Sequence, residues 1–211
     1  MKKNRLVTSI ICVFILTNLQ AQSEDRRENF EFGIKAGVNA SNVWDAQGEN
    51  FRADGKAGLA AGVFFGIPIG KYLGVQPEVL ISQKGFKGSG TLLSFPYSFS
   101  RTSTYLDIPL QMQLKPTEFF TLLAGPQFSY LLNQKSSYTF GGISTGQEEQ
   151  FNTDNIRKNV LGFVVGSDFI YHSLVVSARA GWDFQNNNGD GTNSTPRYKN
   201  RWVQLTLGFK I

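Results

Sequence analysis

The sequence predicts an all-β protein, an eight-stranded antiparallel up-and-down transmembrane β-barrel. Three observations carry that expectation. Beyond residue 21 the chain falls into eight segments in which every second residue is apolar and uncharged. The connections between them alternate strictly, four long polar loops against three very short turns. The 45 positions assigned to the outward face hold no Asp, Glu, Lys or Arg. With 18% of the chain charged, about eight charges would fall there by chance. Charge is costly on a wall that faces lipid.

Each segment shows the period of two that separates the faces of a strand. Residues 30–40 set Phe32, Ile34, Ala36 and Val38 outward over Glu31, Gly33, Lys35 and Asn39. Residues 57–67 set Leu59, Val63 and Ile67 over Gly58, Gly62 and Phe64, and residues 72–82 set Val75, Val79 and Ile81 over Gln76, Glu78 and Leu80. In 105–115, Leu106, Ile108, Leu110 and Met112 oppose Asp107 and Gln111. The remaining four are 119–131 (Leu122, Ala124, Phe128 outward), 160–171 (Leu161, Phe163, Val165), 174–184 (Val176, Ala178, Trp182) and 202–211 (Val203, Leu205, Leu207). Each is near the 9–11 residues that a tilted membrane strand needs.

The short turns are 68–71, 116–118 and 172–173, and the long connections are 41–56, 85–104, 132–159 and 185–201. In such barrels the turns face the periplasm and the loops the exterior, which places both termini in the periplasm. Pro77, Pro109 and Pro126 fall inside strands. Each lacks a ladder donor, so bulges or local loss of pairing are expected there. Tyr72, Tyr105, Tyr130, Tyr171, Trp182 and Trp202 lie near strand ends, where aromatic rings anchor a barrel at the headgroups.

Residues 1–21 read as a secretory signal, with Lys2, Lys3 and Arg5 before an apolar run and Ala21 at a small-residue cleavage position. Residues 22–29 read as a flexible periplasmic leader and 30–211 as the barrel domain. The single cysteine, Cys12, lies in the signal, so a mature chain has no disulfide or Cys-metal chemistry. Removing three of 21 basic residues and none of 16 acids leaves 18 − 16 = +2. With no basic stripe interleaved with aromatics, nucleic acid is excluded as an expected partner.

Certain runs carry a family resemblance. Val75-Gln76-Pro77-Glu78-Val79-Leu80-Ile81-Ser82-Gln83-Lys84-Gly85-Phe86, Tyr105-Leu106-Asp107-Ile108-Pro109-Leu110 and Leu123-Ala124-Gly125-Pro126 resemble the PorT-like outer-membrane β-barrel family. The opening Gly33-Ile34-Lys35-Ala36-Gly37-Val38-Asn39 is similar to that family's first strand. The resemblance covers essentially residues 30–211. It implies a small barrel in the outer membrane of a Gram-negative cell, and its founding member links the family to protein secretion. One departure is the ending Phe209-Lys210-Ile211, where outer-membrane barrels commonly place a final aromatic residue.

The candidate site residues are the inward charges. Lys35, Glu78, Asp107, Asp168, Arg179 and Asp183 are expected to form an interior ionic network, because eight strands enclose only enough room for their own side chains. Ionised groups in so narrow a space must pair or incur a desolvation cost of several kcal/mol each. Glu78 and Arg179 are the expected central pair. Phe86, Phe95, Tyr97, Phe99 and Arg101 cluster in the second long loop as an exposed patch for a partner. His172, the only histidine, falls in a turn, so histidine-based hydrolysis at the outer rim has no general base. The run 186–193 is oxygen-rich but lacks the ligand spacing of a calcium loop. No catalytic, metal or cofactor site is expected.

The expected function is therefore non-enzymatic, a structural or interaction barrel with its long loops outward. A component of an export or secretion assembly is the second reading. A soluble lipocalin-like barrel is the third, and it conflicts with the uncharged wall. Expected partners are outer-membrane lipid and lipopolysaccharide, the barrel assembly machinery and an envelope protein. The chain is expected to be monomeric.

Overall fold

The computed structural model describes residues 26–44, 52–92, 95–140, 143–149, 156–188 and 198–211, with the side chains of Arg26, Arg52, 90–92, 95–97, Phe140 and 143–149 outside that description. The signal of residues 1–21 and most of the 186–193 run therefore lie outside the described residues. Nine strands follow in order: β1 (Glu31–Trp44), β2 (Arg52–Pro68), β3 (Leu73–Leu92), β4 (Phe95–Leu114), β5 (Phe120–Phe140), β6 (Ile143–Glu149), β7 (Asn159–Tyr171), β8 (Leu174–Asp183) and β9 (Lys199–Lys210).

Eight of them form a ring, all neighbours antiparallel, with β1 paired to both β2 and β9 and the circuit completed through β4–β5 and β5–β7. Closure matters because an open strand edge cannot be satisfied in hydrocarbon. The apolar residues face out. Ile34, Val38, Leu59, Ile81, Leu110, Leu205 and Leu207 are all exposed, while Gln76, Glu78, Gln111 and Arg179 are buried. That inversion of an ordinary core is what parity predicts for a wall with lipid on one side and packed side chains on the other.

The strands differ from expectation in length. β3, β4 and β5 run to 20, 20 and 21 residues. The segment 85–104, expected as a loop, is instead the continuation of β3 and β4, paired from Phe86↔Arg101 to Leu92↔Phe95. Within the expected loop 132–159, β6 pairs with β5 from Gln134↔Glu149 to Phe140↔Ile143. It takes up the edge of β5 above the point where β7 leaves it, since β5–β7 pairing ends at Tyr130↔Asn159. The surplus strands build a sheet that rises past one end of the barrel. Ten surplus residues on a strand reach roughly 33 Å along its axis.

The prolines interrupt pairing without shifting it. The β3–β4 register skips from Pro77↔Leu110 to Leu80↔Asp107, and β4–β5 skips from Pro109↔Gln127 to Met112↔Ala124, each resuming in phase. Pairing through Pro126 is continuous with β7. Register shifts occur elsewhere, between Gly55 and Ala60 on β2 and at Thr104/Tyr105 on β4. At the turn end a 3-10 turn, Arg26–Glu28, lies in the segment expected as a flexible leader. Arg27 donates to the Pro116 carbonyl at 3.3 Å, stands 5.0 Å from the Tyr72 ring centre, and accepts a bond from Lys115 Nζ on its own carbonyl at 3.0 Å.

Candidate functional site

The interior is built by alternate residues of the eight ring strands, and among the described residues its ionic groups fall into three clusters. The middle cluster joins β1, β3, β7 and β8. Lys35 Nζ stands 2.5 Å from Glu78 Oε2, Arg179 Nη1 2.7 Å from Asp168 Oδ1, and Arg179 Nη2 3.4 Å from Glu78 Oε1. Gln76 Nε2 donates to Glu78 Oε1 at 2.7 Å. Two cations and two carboxylates thus cancel within one buried group. Glu78 and Arg179 do meet, but each has a shorter partner, Lys35 and Asp168 respectively.

The second cluster lies toward the long-hairpin end. Lys84 Nζ is 3.0 Å from both carboxylate oxygens of Asp107, which also accepts from Ser129 Oγ at 2.5 Å and from the Ser82 hydroxyl. Lys84 lies over the faces of Tyr105 and Trp202, 4.9 and 5.2 Å from their centres. Among the described residues Asp183 has no direct lysine or arginine partner. It accepts from Asn200 Nδ2 at 2.6 Å and from the Asn200 amide at 3.2 Å. A third cluster at the turn end pairs Lys210 with Glu31.

Sequence reasoning missed Lys84 and Asn200, because their strands were ended at Ser82 and begun at Trp202. Tyr105 and Trp202, expected as headgroup anchors, point inward and are buried. Their parity already placed them opposite the lipid-facing residues. Room for the rings comes from missing side chains. A Cβ on Gly181 would lie 2.4 Å from the Trp202 ring, and one on Gly33 would lie 2.3 Å from the Phe64 ring. Leu80, Leu123, Leu131, Val160, Val164 and Val175 are buried in the remaining space.

The aromatic patch is relocated. Phe86 is 1% exposed, not part of an exposed loop surface. It meets Phe99 and Tyr198 edge-on at 5.5 and 5.0 Å, with Val43 and Ala53 packed around them. Phe99 stacks on Tyr138 at 6.1 Å. Arg101 is partly buried and donates to Ser136 Oγ at 3.2 Å and Tyr198 OH at 3.4 Å. The side chains of Phe95 and Tyr97 lie outside the described residues. Above the membrane band the sheet's outer face meets water, so its apolar residues turn inward over the barrel mouth. Lys87, Ser98, Ser100, Ser137 and Thr139 take the outer face, around a hollow of about 350 Å³ that also touches Asp54.

His172 is the first of two residues in the β7–β8 turn and has φ of 55°, the sign that a two-residue hairpin requires there. It is exposed, and its ring packs only against Tyr171 among the described residues, at 4.4 Å.

The chain matches the family model described as "Outer membrane protein beta-barrel domain" over residues 20–189. Among solved structures it is similar to Ail, the attachment invasion locus protein of Yersinia pestis, at 15% identity over 86% of this chain and 98% of that chain, with a TM-score of 0.44. It is similar to Neisserial surface protein A at 10% identity, over 85% of this chain and 97% of that one, with a TM-score of 0.47. OprG from Pseudomonas aeruginosa gives 13% identity, 89% and 98% coverage and a TM-score of 0.43. Comparison with curated proteins gives no match. The family match spans most of the chain, and with the closed ring and the lipid-facing apolar wall it makes this protein a member of the outer-membrane β-barrel domain family.

Proposed function

We propose that this is a non-enzymatic, non-conducting outer-membrane barrel that holds a β-sheet platform outside the cell for contact with an envelope or extracellular partner. The observation that carries the reading is the length of β3, β4 and β5, about twice what a membrane crossing needs. The surplus is an ordered, hydroxyl-rich sheet, while the lumen beneath it is occupied by paired charges and aliphatic side chains. A signal peptide over residues 1–21 would deliver the chain, and the turn end with both termini would face the periplasm.

The second reading is a component of an export assembly that engages partners from the turn end. It rests on the PorT-like blocks Gln76-Pro77-Glu78 and Tyr105–Pro109 and on the Arg26–Glu28 turn fastened beside Tyr72 and Pro116. Photo-crosslinking groups placed at Ser98 and Ser137, and separately at Lys71 and Glu118, separate the two in intact cells. Discrete adducts from the first pair are expected. Adducts from Lys71 and Glu118 alone would overturn the platform reading in favour of the export one.

A further inference from the structure

We propose that the outer wall carries a specific site for a phosphorylated, multiply acylated lipid of the outer leaflet, of the lipid A type. The site is a groove of about 720 Å³ across β8, β9, β1 and β2. The wall elsewhere carries mainly Leu, Ile, Val and Phe, with Ala36, Ala61, Ala124 and Ala178 among them, whereas here four adjacent strands present Ala180, Val203, Ala40 and Ala57 in one cross-strand row, Ala180↔Val203↔Ala40↔Ala57. Three alanines in such a row leave a depression one side chain deep, wide enough for acyl chain.

The next row toward the long-hairpin end bears the polar element. Arg201 pairs across to Trp182 on one side and Asn42 on the other. It is exposed, faces the same side as Val203, and has no hydrogen-bond or ion-pair partner among the described residues. Lys199, two residues away on the same face, sits over the Trp44 ring at 5.2 Å. Trp44 and Trp182 both line the groove, and Trp182 is backed by Phe163 at 5.8 Å.

Lys56 also lines the groove, one row below Arg201, with its ammonium donating to Ser100 and Thr102 on β4. Beneath it the described lipid-facing wall has no charge, so Arg201, Lys199 and Lys56 mark the upper edge of the hydrocarbon. A guanidinium at that depth, directly above an apolar furrow and flanked by two indoles, is complementary to one kind of molecule. Its tail must lie in the furrow, and its anionic headgroup must reach a planar, bidentate donor. A neutral lipid leaves Arg201 unpaired, and a free anion leaves the furrow unfilled. In the outer leaflet, phosphate joined to several acyl chains is the chemistry that meets both demands. The inference rests on the outer-membrane placement and on the loop end facing outward. It does not depend on what the raised sheet contacts.

The test is native mass spectrometry of the full barrel released from a neutral detergent after incubation with bisphosphorylated lipid A. A one-to-one adduct is expected. Arg201→Gln should weaken it about tenfold, the scale of one charge-assisted hydrogen bond. Ala40→Leu and Ala57→Leu should each remove it by filling the furrow, whereas Ala124→Leu on β5 should leave it unchanged. Heat-dependent gel mobility confirms that every variant is folded. Equal adducts in all variants, an adduct with the dephosphorylated lipid, displacement by inorganic phosphate alone, or no adduct would each overturn the site. A dimer mass in place of the lipid adduct would assign the groove to a second copy of the chain and likewise overturn it.

Discussion

Replacing Glu78 with alanine tests the interior most sharply, because its carboxylate touches three partners. Lys35 lies at 2.5 Å, Gln76 at 2.7 Å and Arg179 at 3.4 Å. At an effective dielectric of about 20, the attraction between unit charges 2.5 Å apart is roughly 7 kcal/mol, set against the cost of removing both from water. The net value of such a pair is small, but removing one member strands the other, at about 3–5 kcal/mol. Lys35 has Glu78 as its ion-pair partner, while Arg179 keeps Asp168 at 2.7 Å. Glu78→Ala and Lys35→Ala should therefore each destabilise by that amount, and the double variant should fall short of the sum of the two losses by a coupling of about 2–3 kcal/mol. The Glu78/Arg179 cycle, across 3.4 Å, should couple more weakly, at roughly 1 kcal/mol or less. Urea titration of barrels folded into lipid vesicles, read by tryptophan emission and gel mobility, measures both cycles. If the Lys35 and Glu78 losses add to within about 0.5 kcal/mol, the two side chains are not partners and the middle cluster is wrongly drawn.

Other substitutions probe the wall, the packing and one turn. Val165→Arg should cost about 2–4 kcal/mol at the lipid face, whereas Ser137→Arg on the raised sheet should change stability by under about 0.5 kcal/mol. Equal folding yields in vesicles would mean that the boundary between wall and platform is misplaced. Gly181→Ala should lose about 1–3 kcal/mol by forcing the Trp202 ring aside, with a shift in tryptophan emission as its second readout. His172→Gly should gain roughly 0.5–1 kcal/mol by relieving a positive φ at a β-carbon-bearing residue. A lowered urea midpoint would show that this turn stores no strain.

Strand parity carried most of the fold in the sequence. It separated lipid-facing residues such as Leu205 and Leu207 from buried ones such as Gln204 and Thr206, and it placed Lys35, Glu78, Asp107, Asp168, Arg179 and Asp183 on the inner face. It did not supply their partners. Contacts across a lumen depend on strand tilt and stagger, so Glu78 on β3 reaches Lys35 on β1 and Arg179 on β8, neither of them a neighbouring strand. Parity also lost its meaning at the membrane boundary. Below it, Ile81 faces out and Ser82 in. Above it, Phe86 faces in and Lys87 out. The exchange of apolar and polar faces breaks the pattern that marks a membrane strand, and the interval reads as a loop. β6, with the sequence Ile-Ser-Thr-Gly-Gln-Glu-Glu, has too few apolar residues for alternation to register. The alanine furrow was visible only as small residues in separate strands, and its continuity follows from the registers of three strand pairs.

The measurement that bears most directly on a filled lumen beneath an exterior platform is single-channel recording of the purified barrel in planar lipid bilayers. With Lys35, Glu78, Asp168, Arg179, Lys84 and Asp107 paired across the bore and Leu80, Leu123 and Val164 packed between them, no stable conductance step is expected, in high salt or under applied voltage. Reproducible, long-lived open channels from the pure wild-type protein would contradict the filled interior and replace the platform with a pore.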